Sequence, residues 1–138
     1  MSNRLLLDTC AVIWMAQDAE ITQAARQEID RAFADDRPIG VSPITAWELG
    51  VLGKKGRLPS AVSPQSLFDR FVSPGGIQLE ALTPAILIDS SFLPGDFHND
   101  PADRIIVATA RAHALTIVTR DRAILDYAEK GYVLALPC

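Results

Sequence analysis

The sequence predicts an α/β fold with a mainly parallel central sheet of about five strands flanked by helices. Three observations point there. Short apolar runs such as "LLL" at 5–7 and "LTIVT" at 115–119 have the length and content of buried strands. Other segments carry apolar residues at helical spacing; "ITQAARQEIDRAFADD" does so with Ile21, Ala24, Ala25, Ile29, Ala32 and Phe33. The two kinds of segment alternate along the chain, as parallel strands joined by helical crossovers require.

The elements follow in order. "LLL" is a buried strand ending at Asp8, and "AVIWMA" after it reads as a short helix or turn. The amphipathic segment 21–36 is the first long helix, and "PIGVS" is the second strand. Ser42 then Pro43 is a helix start, a capping hydroxyl followed by proline at the first helical position. The helix they open, "PITAWELGVLGKKG", should stop near Gly53 or Gly56. Ser63–Pro64 and Thr83–Pro84 repeat that start for "SPQSLFDRFV" and "TPAILIDSSFL". Between them "IQLEAL" alternates as a strand does. Asp100–Pro101 opens the next helix, "DRAILDYAEKG" is the last helix, and "YVLAL" is the last strand.

One domain, 1–138, is expected from 138 residues with 49% hydrophobic and 22% charged content. No apolar run reaches the ~18 residues of a membrane span. The apolar start "MSNRLLLDTC" is interrupted by Asp8, so no signal peptide is expected. Two cysteines, Cys10 and Cys138, are too few for a disulfide framework and fit a reducing cytoplasm. A net charge of −4 argues against a protein that coats nucleic acid. It leaves room for an enzyme that grips nucleic acid through metal ions and a local basic patch.

Ligands of parallel α/β sheets bind beyond the carboxyl ends of the strands. Asp8 directly follows "LLL", and Asp121 follows "TIVTR". Helix capping competes with a site role at Asp121; at Asp8 it competes less, because "TCAVIW" is a poor helix start. Glu48 shares a helical face with Ile44, Trp47 and Val51, beside an apolar stripe, where only an edge position would leave it in water. In "FHNDPADRIIVATA" Asp100 reads as the N-cap, and capping alone explains it. Asp103 falls at the third helical position, where the helix dipole favours an acid but aspartate is short for a capping box. Asp8, Glu48, Asp103 and Asp121 thus come from four segments. Clustered carboxylates repel, and a hard divalent cation, Mg²⁺ or Mn²⁺, resolves the repulsion. Metal-assisted phosphoryl transfer or phosphodiester hydrolysis is the chemistry such a site performs.

The blocks "LLLDTCAVIW", "VSPITAWELGVLGKKGRL", "HNDPADRIIVATARAHALTIVTRD" and "YVLAL" lie in order over nearly the whole chain. In them the sequence resembles the PIN-domain nucleases, and within those the VapC-type toxins of bacterial toxin–antitoxin pairs. The resemblance implies an acidic pocket of Asp8, Glu48, Asp103 and Asp121 that binds Mg²⁺. It implies endoribonuclease activity, a homodimer, and inhibition by a small cognate antitoxin. Thr9 and Thr119 match hydroxyls that help hold such sites, and Asp100 stands behind them. Cys10 departs from the pattern, since relatives often carry histidine there.

On this reading an activated water attacks an RNA phosphodiester in line; Asp8, Asp103 and Asp121 hold the metal, and Glu48 completes the set or orients the water. Lys54, Lys55, Arg57, Arg104, Arg120 and Arg122 are candidates for phosphate contacts, against a plain solvated loop for "GKKGR". His98 and His113 have no evident nucleophile partner and are expected to be structural. Two other functions compete. A phosphatase-like aspartate site would want a second acid two residues after Asp8, where Cys10 stands. A metal-binding α/β module without catalysis would not need all four acids.

Overall fold

A computed structural model describes residues 4–58 and 61–138. The first three residues, part of the start read above for a signal peptide, lie outside the described residues. Five strands form one sheet: β1 (Leu5–Leu7), β2 (Ile39–Val41), β3 (Ile77–Leu79), β4 (Thr116–Thr119) and β5 (Leu134–Pro137). Their order is β3-β2-β1-β4-β5, and every pairing is parallel. The chain leaves β1 toward one side of the sheet for β2 and β3, then returns to the other side for β4 and β5. The switch point therefore falls between β1 and β4, where parallel sheets open a crevice for ligands.

Around the sheet run α1 (Thr9–Ala16), α2 (Gln23–Ala34), α3 (Pro43–Lys54), α4 (Pro64–Val72), α5 (Pro84–Asp89), α6 (Pro101–His113) and α7 (Arg122–Glu129). Each starts at a capping side chain that accepts a backbone N–H: Asp8, Thr22, Ser42, Ser63, Thr83, Asp100 and Asp121. Four of them, α3, α4, α5 and α6, also carry proline in the first turn, where its missing N–H costs nothing. Strand β1 is buried on both faces: Leu5 and Leu7 pack with Val12, Ile29, Leu49 and Val118, and Leu6 packs with Ile106, Ile117 and Ile124. That double burial explains why its sequence is an unbroken apolar run rather than an alternating one.

Three boundaries differ from expectation. Strand β3 stops at Leu79, because the next residue, Glu80, turns into the fold and pairs with Arg4 at 3.1 Å. Helix α5 ends at Asp89, short of the apolar Phe92 and Leu93. Helix α1 starts at Thr9 despite its β-branched opening, because Asp8 caps it through Ala11 N–H at 2.7 Å. Capping at Asp8 was thus undervalued in the sequence.

Candidate active site

Asp8 and Asp121 stand at the carboxyl ends of the two strands that flank the switch point. Asp8 is buried and both of its oxygens are engaged. Oδ1 accepts the Ala11 N–H, and Oδ2 accepts the Thr119 hydroxyl. Thr119 is fully buried at the last position of β4 and also accepts the N–H of Asp121 at 2.9 Å. Burial pushes the Asp8 carboxyl up to about 6, against the pull of the Thr119 and Ala11 hydrogen bonds, and Asp121 adds repulsion.

Glu48 lies one to two turns into α3 and is half-buried, not an exposed edge position. Its Oε1 accepts the Thr9 hydroxyl at 2.5 Å. Thr9 is in turn 3.0 Å from the hydroxyl of buried Thr45, one turn before Glu48 on the same helix. Since Thr9 gives its proton to Glu48, Thr45 is the donor to Thr9, and the three form a directed chain. Burial raises the Glu48 carboxyl first; the Thr9 bond opposes this, and Asp100 and Asp8 add to it.

Asp100 caps α6, with Oδ2 accepting the Asp103 N–H at 3.4 Å. Asp103 sits in the first turn of that helix, three-quarters covered. Its carboxyl is pushed up to about 8, first by burial, then by the charges of Asp100 and Asp121, with Glu48 contributing. Asp121 caps α7 through Ile124 N–H at 3.0 Å. Three helices, α1, α6 and α7, thus begin at acids of this one site. Their partial positive ends offset part of its negative charge.

Cys10 offers an independent view of the cluster. Although the residue is exposed, its thiol is pushed up to about 12, by lost hydration and then by Asp8, Glu48, Asp103 and Asp121. The charge of all four acids is felt at this one side chain.

His98, expected to be structural, lies against two acids of the site. Its Nε2 lies 3.2 Å from Asp103 Oδ2 and 4.0 Å from Asp121 Oδ2. His98, Asp103 and Asp121 each offer a ligand atom within 4.8 Å of the others. The sequence carried a signal for it, the imidazole two residues before a helix cap, but no spacing rule turns that into a contact. Thr45 was missed as well; in sequence it is one more threonine on a helix.

The basic candidates separate. Arg104 donates to three backbone carbonyls, Ser90 at 2.8 Å, Phe97 at 2.9 Å and His98 at 3.1 Å, so its Nε and Nη1 brace the segment before α6. Arg120 lies 3.8 Å over the Trp14 ring and donates to Glu20 O at 2.5 Å. Arg122 is exposed and 3.7 Å from Asp126 one turn on. Lys54, Lys55 and Arg57 are exposed at the end of α3, about 10 Å along the helix from Glu48. His113 closes α6 in its last turn, and Trp47 is 58% exposed.

The donors fit a hard divalent cation: carboxylate oxygens from several segments, two of them raised well above the ordinary carboxylate range by burial and mutual repulsion. A groove of about 370 Å³ elsewhere, lined by Ala16, Leu67, Arg70 and Phe71, holds none of these acids.

Comparison with known proteins identifies relatives of the chain and of its fold. The model of the PIN domain family matches residues 5–130. Over 127 residues the chain is 32% identical to Ribonuclease VapC22 of Mycobacterium tuberculosis, covering 92% of this chain and 93% of that protein. Among solved structures, the fold is similar to VapBC2 from Rickettsia felis bound to a promoter DNA fragment, at 17% identity and TM-score 0.69, covering 96% and 97% of the two chains. FitAcB from Neisseria gonorrhoeae is similar at 24% identity and TM-score 0.58, covering 96% of each.

Proposed function

The chain belongs to the PIN domain family, and from that premise we propose that it is a metal-dependent endoribonuclease, the toxin of a type II toxin–antitoxin pair. The observation that supports this reading is the acidic group at three helix N-termini, where ligand atoms of Asp103, Asp121 and His98 lie within 4.8 Å of one another and the charges of Asp8 and Glu48 act on the same group. That much negative charge is poorly compensated by the protein itself, and a cation relieves it. Its relative of 32% identity is named a ribonuclease, which supports RNA as substrate. Similar folds occur in structures described as VapBC2 and as a toxin–antitoxin complex from Klebsiella pneumoniae, which supports a small antitoxin partner.

Mg²⁺, with Mn²⁺ as substitute, would be held by Asp8, Asp103 and Asp121, with Glu48 beside them. When bound, it neutralises phosphate charge and makes water a stronger nucleophile. The side chains do the rest. Thr119 fixes the rotamer of Asp8, so that acid need not reorganise when the site fills. Glu48, oriented by Thr9 and Thr45, accepts the proton of the attacking water. Lys54, Lys55 and Arg57, with Arg120 and Arg122 at the rim, draw the RNA backbone to an otherwise acidic protein. A homodimer and a cytoplasmic location complete the reading. Among the described residues no helix is long and apolar enough to cross a membrane.

The test is cleavage of structured RNA by purified protein with Mg²⁺, with excess chelator, and with the Asp8→Asn variant. Cleavage should need the cation and Asp8. Cleavage that survives both chelator and the substitution overturns the reading. Light scattering at micromolar concentration should give a dimer.

A further inference from the structure

The imidazole of His98 is held on several sides. Phe97 stacks on it with ring centroids 4.4 Å apart, and Phe97 itself packs on Tyr127 at 4.9 Å. Arg104 binds the His98 carbonyl, and with it those of Ser90 and Phe97. The ring Nδ1 accepts the backbone N–H of Asp100 at 3.2 Å. Nε2 then points at Asp103 Oδ2, 3.2 Å away.

These contacts fix the tautomer. A neutral imidazole has one donor and one acceptor nitrogen. With Nδ1 accepting, the proton is on Nε2, and a protonated nitrogen has no lone pair for a metal. We propose that His98 is a positioning residue of the acidic site and not a ligand: its Nε2–H donates to Asp103 and holds that carboxylate turned toward Asp121. The inference rests on the nuclease reading above and adds a residue to it. The need is physical. Asp103 has a short side chain in the first turn of α6, faces like charges from Asp100, Asp121 and Glu48, and its other side-chain partner, the Asp100 carboxyl, raises it instead of stabilising its charge. A donor built into the preceding segment keeps it from turning to solvent before the cation arrives. Arg104, the residue after Asp103, ties that segment to the same helix, so donor and acid move together.

The test uses the full chain as His98→Ala, His98→Asn and His98→Gln. Glutamine places its amide nitrogen near the position of Nε2, whereas asparagine reaches only as far as Nδ1. Titration with Mg²⁺ alone, without RNA, should show binding weakened about 10-fold or more in the Ala and Asn variants. Gln should restore most of it, and kcat should follow the same order with KM little changed. In ¹⁵N spectra of the histidine-labelled parent, Nε2 should carry the proton both without and with saturating Mg²⁺. A proton lost from Nε2 on adding Mg²⁺ makes His98 a ligand and overturns the proposal. So does a Gln variant no better than Ala, or an Ala variant that binds Mg²⁺ as the parent does. If the parent itself neither binds a divalent cation nor cuts RNA, the nuclease reading falls and this inference falls with it. A competent parent with an indifferent His98→Ala variant removes the positioning role alone.

Discussion

Thr119 donates its hydroxyl to Asp8, so the end of β4 orients the acid at the end of neighbouring β1, 111 residues away in sequence. The same oxygen accepts the Asp121 N–H, so one buried hydroxyl serves two acids of the site. Thr119→Val keeps the shape and removes both bonds. It should cost about 1–3 kcal/mol of stability, because a backbone N–H and a buried carboxylate lose their partner. Mg²⁺ affinity should fall on the order of 10-fold, and Thr119→Ser should restore it. Thermal melts and calorimetric titration read both quantities; a Val variant that binds Mg²⁺ like the parent would show that Asp8 needs no such orientation.

The raised acids make metal-free stability depend on pH with a definite sign. Asp8 moves from its ordinary 3.8 to about 6 in the fold, and Asp103 to about 8. Both folded values lie above the unfolded ones, so the folded state holds protons that the unfolded chain has released. Their contribution is fully present below about pH 4 and is lost as pH rises through 6 and then 8. For Asp8 alone the span is on the order of 3 kcal/mol. Urea unfolding in chelator should therefore show these acids favouring pH 5 over pH 8. The difference should shrink in the Asp8→Asn, Asp103→Asn double variant and in saturating Mg²⁺. An unchanged pH dependence in the double variant would mean that other groups set it.

Arg104 and the lysines at the end of α3 should separate under mutation. Arg104→Lys keeps the charge but offers its donors from a single nitrogen, where Arg104 reaches the carbonyls from Nε and Nη1, so it should destabilise by about 1–3 kcal/mol. The salt dependence of RNA binding should not change. Lys54→Ala and Lys55→Ala should leave melting unaltered and lower the slope of log affinity against log salt by about 1 each. Binding is measured in an Asp103→Asn background so that RNA stays intact. The reverse pattern would return Arg104 to the RNA surface.

What the sequence revealed and what it hid have different physical origins. Strand β1 and the helix starts at Ser42–Pro43 and Asp100–Pro101 were legible because their signals are local: an apolar run, or a capping side chain followed by proline. The placement of Asp8 and Asp121 after strands and of Asp103 in a first helical turn was legible from the same local signals. The partners that orient them were not. Thr119 to Asp8, Thr45 to Thr9 and His98 to Asp103 are contacts between separate segments, set by the order of strands in the sheet and not by spacing along the chain. The three carbonyls that Arg104 binds were hidden for the same reason.

Asp100 and Asp103 share one helix turn, and substitution should split their roles. Asp100 caps α6, and asparagine caps nearly as well, so Asp100→Asn should change stability little and lower activity only modestly. Asp103→Asn keeps the size but removes a charge from a crowded anionic site. Without metal, at a pH above 8 where Asp103 is ionised, it should melt at the same temperature as the parent or higher, because repulsion from Asp100, Asp121 and Glu48 is relieved. With Mg²⁺ the order should invert. Cation binding stabilises the parent by mass action, and a variant with one ligand fewer gains less. RNA cleavage by Asp103→Asn should largely vanish. Melting of both variants with and without Mg²⁺, beside a cleavage assay, covers every arm. Cleavage lost at Asp100 and kept at Asp103 would exchange the two roles. Cleavage kept at both would move the chemistry away from the mouth of α6 and leave its two aspartates as helix-start residues only.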